Sequence, residues 1–256
     1  MRVPVQGPAD EPADTKQPEP ADRRQDPPLG QPPERAEDEQ LPAEKDPTED
    51  PQVEADTVLP EDEILAACAT ILAESGAYSV LHPGCGTGRC ARYLAAAGFL
   101  VTAFDIAQLS VRVAAARCVP EDLPIRYLVA DPSLPAPDIG QFDGLFAPNI
   151  LHLFQHPQRR RILRLLTRNL RPGGVGIITV ISNRDQRYAQ GREIERDTFE
   201  AFPGQLMHFY SEDELHYELD RYFRVSIIEE VTEVETDHLG NKFEYSMLLA
   251  CGIKRD

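Results

Sequence analysis

The chain has 256 residues and a formal net charge of −17, enough length for one sizeable domain with an extension. Acids outnumber bases in the folded part as well, which argues against a duplex nucleic-acid partner, whose phosphates want a basic face. No run approaches the ~18 apolar residues of a membrane-spanning helix, so no membrane partner is expected.

The N-terminus "MRVPVQGPADEP" has no apolar run of signal-peptide length, which points to the cytoplasm. The five cysteines are Cys68, Cys85, Cys90, Cys118 and Cys251. An odd number without C-x-x-C spacing reads as free thiols rather than a disulfide framework, and no metal site is expected. Residues 1–56 hold 12 of the 23 prolines and no aromatic residue, and acids outnumber bases 16 to 6. That composition cannot repay the entropy of ordering a core, so a disordered acidic, proline-rich tail is expected over 1–56 and one folded domain over 57–256.

The domain reads in order. "PEDEILAACATILAES" (60–75) is a helix with acids in its first turn and Ile64, Leu65, Cys68, Ile71 and Leu72 on one face. "YSVLH" is a short strand, "GRCARYLAAAG" a helix stopped by Gly98, "FLVTAFD" a strand, "AQLSVRVAAARCV" a helix and "IRYLVAD" a third strand. "FDGLFA" is a fourth strand, followed by the amphipathic helix "HPQRRRILRLLTRNL". "VGIITVIS" is a fifth strand. "SEDELHYELDRYF" is a helix whose Ser211 and Glu214 form a capping box. "RVSIIEEV" and "FEYSMLLACG" are two late strands. Strands alternating with helices at this spacing predict an α/β fold with a parallel sheet.

Glycines 84, 86 and 88 follow the first strand and open a helix. Glycine lets backbone turn sharply and approach a ligand, and the helix start offers unpaired N–H groups. The dinucleotide fingerprint G-x-G-x-x-G fails, because Arg89 holds its last position. Asp105 ends the next strand, 17 residues after Gly88. A carboxylate there can accept both hydroxyls of a ribose, so the pattern suits a nucleoside without a pyrophosphate.

These stretches resemble the class I S-adenosylmethionine-dependent methyltransferases. "VLHPGCGTG" looks like their first motif and "VTAFD" their second. "LVAD" looks like the segment that meets the adenine, and "FDGLFAPNILHLFQHPQRRRILRLLTRNLRPGGVGIITV" like the fourth strand, its helix and the "PGG" entry to the fifth. "GREIERDTFEAFPGQLMHFYSEDEL" and "HLGNKFEYSMLLA" are similar to the tellurite-resistance (TehB-type) small-molecule methyltransferases. The resemblance implies a Rossmann-like fold: a mostly parallel seven-stranded sheet, helices on both faces and an antiparallel last strand. It implies S-adenosyl-L-methionine as methyl donor. Gly84, Cys85, Gly86 and Gly88 would line its methionine portion. Asp105 would hold the ribose and Ile106 lie against the adenine. Asp131 would accept from the adenine amino group beside Pro132, and Ala147 and Pro148 would flank the methionine end. Asp-Pro at 131–132 is also a turn signal, and Asp143 reads as structural.

His82 and Pro83 depart from the family, which usually has an acid at the first of these positions. A histidine titrating near its ordinary value of about 6.5 would repel the donor's positive groups at low pH, so affinity is expected to weaken on acidification and His82→Asp to tighten it. The family's tellurite-resistance branch places His and Arg near its last strands, whereas this chain has "VETDHLGNKFEYS" there, with Glu235, Glu244 and Ser246 and only His238 and Lys242 basic. "APNI" does not match the Asn/Asp-Pro-Pro-aromatic pattern of amino-group methyltransferases acting on nucleic acid, so a small-molecule acceptor is expected. Methyl transfer mainly requires acceptor and methyl to be held in line. A general base is needed only if the acceptor loses a proton, and the candidates are His152 and His208. A methyltransferase-like binding module serving a protein partner is the alternative. A chain beginning at Thr57 should keep its melting temperature within about 2 °C; a larger fall would show that the removed residues pack on the domain.

Overall fold

A computed structural model of the chain describes residues 63–118, 122–135, 139–236 and 241–255. The tail expected over 1–56 lies outside the described residues, as do 57–62 and His238.

The elements run α1 (Glu63–Glu74), β1 (Ser79–Pro83), α2 (Arg89–Ala96), β2 (Leu100–Asp105), α3 (Gln108–Cys118), β3 (Ile125–Val129) and β4 (Phe142–Pro148). A 3-10 turn at Leu151–Leu153 leads to α4 (His156–Arg168) and β5 (Leu170–Ile181). Three short strands follow, β6 (Arg192–Glu195), β7 (Thr198–Phe202) and β8 (Gln205–His208), then α5 (Glu212–Asp220), β9 (Phe223–Thr236) and β10 (Lys242–Lys254). The main sheet has the order β3-β2-β1-β4-β5-β10-β9. β1 to β5 pair in parallel, and β10 runs antiparallel to both its neighbours. This is the seven-stranded, mostly parallel sheet that the family resemblance implies.

Strands buried on both faces read as unbroken apolar runs, and β1 shows how the two cores are divided. Val80 joins the core formed with α1 and α2, through Leu65, Cys68, Leu72, Ala91 and Leu94. Leu81, one residue on, points to the other face and joins Ile162, Leu163 and Leu166 of α4 and Leu215 and Leu219 of α5. Ser211 caps α5 by accepting from the Glu214 N–H at 3.2 Å. α4 begins with a reciprocal capping box between Gln155 and Gln158.

The structure departs from the expected elements in three places. β5 starts at Leu170, so the "RPGG" stretch is its first part; the pairing with β4 shifts between Phe142 and Gly144. β9 and β10 extend beyond their apolar runs as a long hairpin, Lys242 opposite Thr236. Residues 192–208 form a separate three-stranded sheet, β6-β7-β8, whose strands are too short and too charged to announce themselves. Arg159, with a side chain only 2 % exposed, holds that sheet to the helices. Its guanidinium lies 3.1 Å from Glu218 and 3.7 Å from Glu214 of α5, and 3.0 Å from Glu195 of β6.

Asp143 fastens the start of β1 to β4. Its Oδ2 accepts from the Ser79 N–H at 2.9 Å, the Ser79 hydroxyl at 2.7 Å and the Tyr78 N–H at 3.3 Å, and Oδ1 meets Arg171. Burial pushes this carboxyl upward, but the donors from Ser79, Arg171 and Tyr78 outweigh it and hold the pKa at about 2. A depressed carboxyl stabilises the fold above its unfolded value of about 3.9, and that contribution is lost as pH falls through about 2. Asp143→Asn should cost about 1–2 kcal/mol at neutral pH, discounted because Arg171 is half exposed. It should also flatten the stability profile between pH 4 and 2, as read by denaturant unfolding.

Candidate functional site

The carboxyl end of β1 turns into α2 through Gly84, Gly86 and Gly88, with φ of +68°, +51° and +88°. All three are left-handed, where only glycine sits without strain. At Gly88 a Cβ would lie 2.5 Å from the Tyr127 hydroxyl and 2.8 Å from Ala114 Cβ, so close packing of α2 on α3 and β3 also requires glycine. At Gly86 a Cβ would meet nothing within 4 Å. At Gly86 the loop therefore turns bare backbone toward open space, two residues before the helix N-cap.

Asp105 is tied to this loop. Its Oδ2 accepts from the Gly86 N–H at 2.9 Å, and Oδ1 accepts from the Ala107 N–H at 2.9 Å. Each oxygen keeps a second lone pair for a ligand hydroxyl. Ile106, the next residue, is 65 % exposed, an apolar surface beside the carboxylate. Cys85 is buried, and burial followed by the Asp105 charge pushes its thiol up to about 12, so it is a small loop residue and no nucleophile.

Beyond the loop lies a narrow cleft of about 30 Å³, lined by Arg89 and Cys90 of α2, Phe146 and Pro148 of β4, and Asn149 and Glu233. Asn149 holds φ +53°, an uncommon conformation for a residue with a side chain. It is fixed on three sides. Its N–H donates to the Thr179 carbonyl at 3.0 Å, Thr179 Oγ1 donates to its Oδ1 at 3.1 Å, and its Nδ2 donates to Glu233 Oε2 at 2.9 Å. The Glu233 carboxylate is thereby aimed at the cleft from β9.

The residues expected at the site divide among these places. Gly84, Cys85, Gly86, Gly88, Asp105 and Ile106 come together around the loop. Pro148 lines the cleft, but the Ala147 side chain faces the α4 core. Asp131 and Pro132 line a different cavity of about 160 Å³ with Leu81, Phe104, Ile139 and Leu166. There Asp131 shapes a turn, accepting from the Ser133 N–H at 2.7 Å and, through its carbonyl, from Leu134. The turn signal in Asp-Pro accounts for what this residue visibly does. Phe146, Asn149 and Glu233 were missed. Glu233 lies 84 residues from the Asn149 it bonds, and no local pattern marks it.

His152 and His208 require correction as candidate bases. Both are buried, and neither lines the cleft. His152 Nδ1 accepts from the Ile181 N–H at 3.2 Å; burial, then Arg187 and His208, lower its pKa to about 3. His208 shares a 2.8 Å hydrogen bond with Thr198 and stands 3.1 Å from Glu214. They belong to the packing between the 151–153 turn, the small sheet and α5. His82 also requires correction. It is 1 % exposed, and its Nδ1–H donates to the Phe146 carbonyl at 3.0 Å. Burial, opposed by that bond and by Asp105, lowers its pKa to about 4. It is neutral from pH 7.5 to 5.5, so the pH-dependent repulsion expected from it does not arise there.

His82 and His152 instead make the fold acid-sensitive. Their folded pKa values lie below the ordinary value of about 6.5, so the stability they permit is complete above that pH. It is lost as pH falls toward 4 and 3, because only the unfolded chain takes up the protons. Each should add a slope of about 1.4 kcal/mol per pH unit. His82→Asn should remove roughly one such slope in denaturant titrations between pH 6.5 and 4.5; an unchanged slope would show that His82 is not buried neutral.

Among the described residues no three His, Cys, Asp or Glu side chains are grouped to hold a metal ion, and no helix is long and apolar enough to cross a membrane. A family model described as a methyltransferase domain matches residues 80–174. No curated protein matches the chain. Solved structures of the same fold include the Burkholderia thailandensis 1,6-didemethyltoxoflavin-N1-methyltransferase with bound S-adenosylhomocysteine, at 20 % identity over 80 % of this chain and 84 % of that one, TM-score 0.60. They include TehB from Haemophilus influenzae, at 18 % identity over 77 % of this chain and 63 % of that one, TM-score 0.57. They also include magnesium protoporphyrin IX methyltransferase from Synechocystis PCC 6803 with bound S-adenosylmethionine, at 16 % identity over 76 % and 79 %, TM-score 0.53. The tellurite-resistance resemblance is thus met at the level of fold. Residues 80–174 thus match the model of a methyltransferase domain, and the chain's fold is that of the class I S-adenosylmethionine-dependent methyltransferases.

Proposed function

We propose that this enzyme methylates a small-molecule acceptor that reaches the cleft at the carboxyl ends of β4 and β5. The observation that carries the reading is convergence at the carboxyl end of the sheet's central strands. The glycine loop, the Asp105 carboxylate and the exposed Ile106 surface adjoin a cleft bounded by α2, Pro148, Asn149 and Glu233. The residues present fit a nucleoside donor: two carboxylate oxygens with spare lone pairs, an apolar face beside them, and glycine backbone open to a ligand. S-adenosylmethionine supplies a methyl group already activated as a sulfonium. The chain's own residues then have to orient and exclude water rather than generate a nucleophile. Asp105 would hold the ribose. Asn149, locked by Thr179, would fix the edge of the cleft, and Glu233 would receive a hydrogen-bond donor from the acceptor.

Glu233 also bears on acceptor class. A carboxylate held 2.9 Å from the Asn149 amide favours an N–H or O–H group at the methylated end of the molecule.

Calorimetric titration with S-adenosylhomocysteine should show one site per chain. Asp105→Ala should weaken it by about 1.5–3 kcal/mol, the range for hydrogen bonds to a charged group; equal affinity would remove Asp105 from the site. With methyl-labelled donor and a cell extract, label should appear in the low-molecular-weight fraction. Label in protein or nucleic acid would contradict the small-molecule acceptor.

A further inference from the structure

His82 and Pro83 are neighbours in sequence and face the same gap in the sheet. β1 and β4 pair over only two residue pairs, Val80 with Gly144 and Leu81 with Leu145. β1 continues beside β2 as far as Pro83 opposite Phe104. The Phe146 carbonyl turns toward β1, because it is there that it meets His82 Nδ1 at 3.0 Å. In a parallel ladder the hydrogen bonds advance by two residues on each strand. One step beyond the bond from the Leu81 N–H, the donor to the Phe146 carbonyl would be the N–H of residue 83. Proline has none. The carbonyl is therefore deprived of its main-chain partner by one residue and supplied with a side-chain partner by the residue before it.

We infer that His82 and Pro83 act as one unit, the imidazole replacing the ladder bond that the proline removes, and that this unit positions the Phe146–Pro148 end of β4 at the cleft. A buried carbonyl without a donor costs free energy comparable to a lost hydrogen bond, so the two identities constrain each other. The imidazole suits the task because it is an N–H donor that stays uncharged when buried. It packs its ring 5.4 Å from the Phe146 ring at 45°, so it holds the side chain of the residue whose carbonyl it bonds. Phe146 and Pro148 both line the cleft, so the bond sets the position of its β4 wall. A carboxylate at position 82, accepting hydrogen bonds only, would face the Phe146 carbonyl lone pairs while Pro83 is present. His82→Asp should therefore loosen the site.

The inference rests on the reading that this end of β4 faces S-adenosylmethionine, and the experiment separates the two. The variants are His82→Leu, which keeps bulk without a donor, His82→Asn, whose Nδ2 stands near the place of Nδ1, Pro83→Ala, which returns the N–H, and the double variant His82→Leu/Pro83→Ala. Dissociation constants for S-adenosylhomocysteine are measured by calorimetry well below the unfolding transition, alongside melting temperatures. His82→Leu should weaken binding about five- to tenfold, the consequence of orphaning one buried acceptor. His82→Asn should stay within about twofold of the parent, and adding Pro83→Ala to His82→Leu should recover most of the loss. A double variant as weak as His82→Leu, or a His82→Leu variant that binds like the parent, would overturn the inference. Loss of melting temperature with unchanged dissociation constants would reduce the pair to a structural role and also overturn it. If the parent itself fails to bind S-adenosylhomocysteine, the cofactor reading falls. Recovery of the melting temperature in the double variant then still decides the coupling of His82 with Pro83.

Discussion

The main-chain ladder between β1 and β4 is two residue pairs long, and the chemistry of this molecule is arranged around the opening that follows. β2 and β3 lie to one side of β1, and β4, β5, β10 and β9 to the other. Where strand order reverses, the connections leave in opposite directions and a crevice opens at the carboxyl ends. Nothing in the ladder fills it. The chain borders it with backbone, through three left-handed glycines and a helix start, and with a few fixed side chains.

Those side chains are held by groups that are not ligands. Asp105 has two backbone N–H donors before any substrate arrives, so its carboxylate is oriented in advance. Asn149 is held by Thr179 in a backbone conformation that costs energy, and it in turn orients Glu233. Asp143 and Arg159 do comparable work farther out, the first joining β1 to β4 and the second joining α4 to α5 and the small sheet. Pre-ordered donors and acceptors are what an in-line transfer asks of a protein, since the reactants need holding more than activating.

Much of this was legible in the sequence. The alternation of apolar runs with helical faces predicts the main-sheet strands and the helices, because buried parallel strands must be apolar on both faces. The glycines at 84, 86 and 88 and the acid at 105 announce the loop, because their roles depend on backbone and on a fixed spacing. The small sheet stayed hidden because "REIE" and "QLMH" carry no periodic apolar signal. His152 and His208 read as possible bases because a histidine's role depends on its surroundings; their burial follows from contacts with residues 29 and 10 positions away. Asp131 reads as an adenine contact, with a turn as the alternative, because Asp-Pro serves both, and the Ser133 bond displays the turn. Glu233 and Asn149 meet through tertiary folding alone, so no spacing could have paired them.

In the proposed function a nucleoside methyl donor sits over the glycine loop and against the end of β4. Hydrogen–deuterium exchange of the intact chain, with and without saturating S-adenosylhomocysteine, tests it most directly. Bound ligand should slow exchange in peptides covering residues 84–90, 105–109 and 146–150, with little change in the small sheet at 192–208. Protection confined to other segments, or none at saturating ligand, would contradict it.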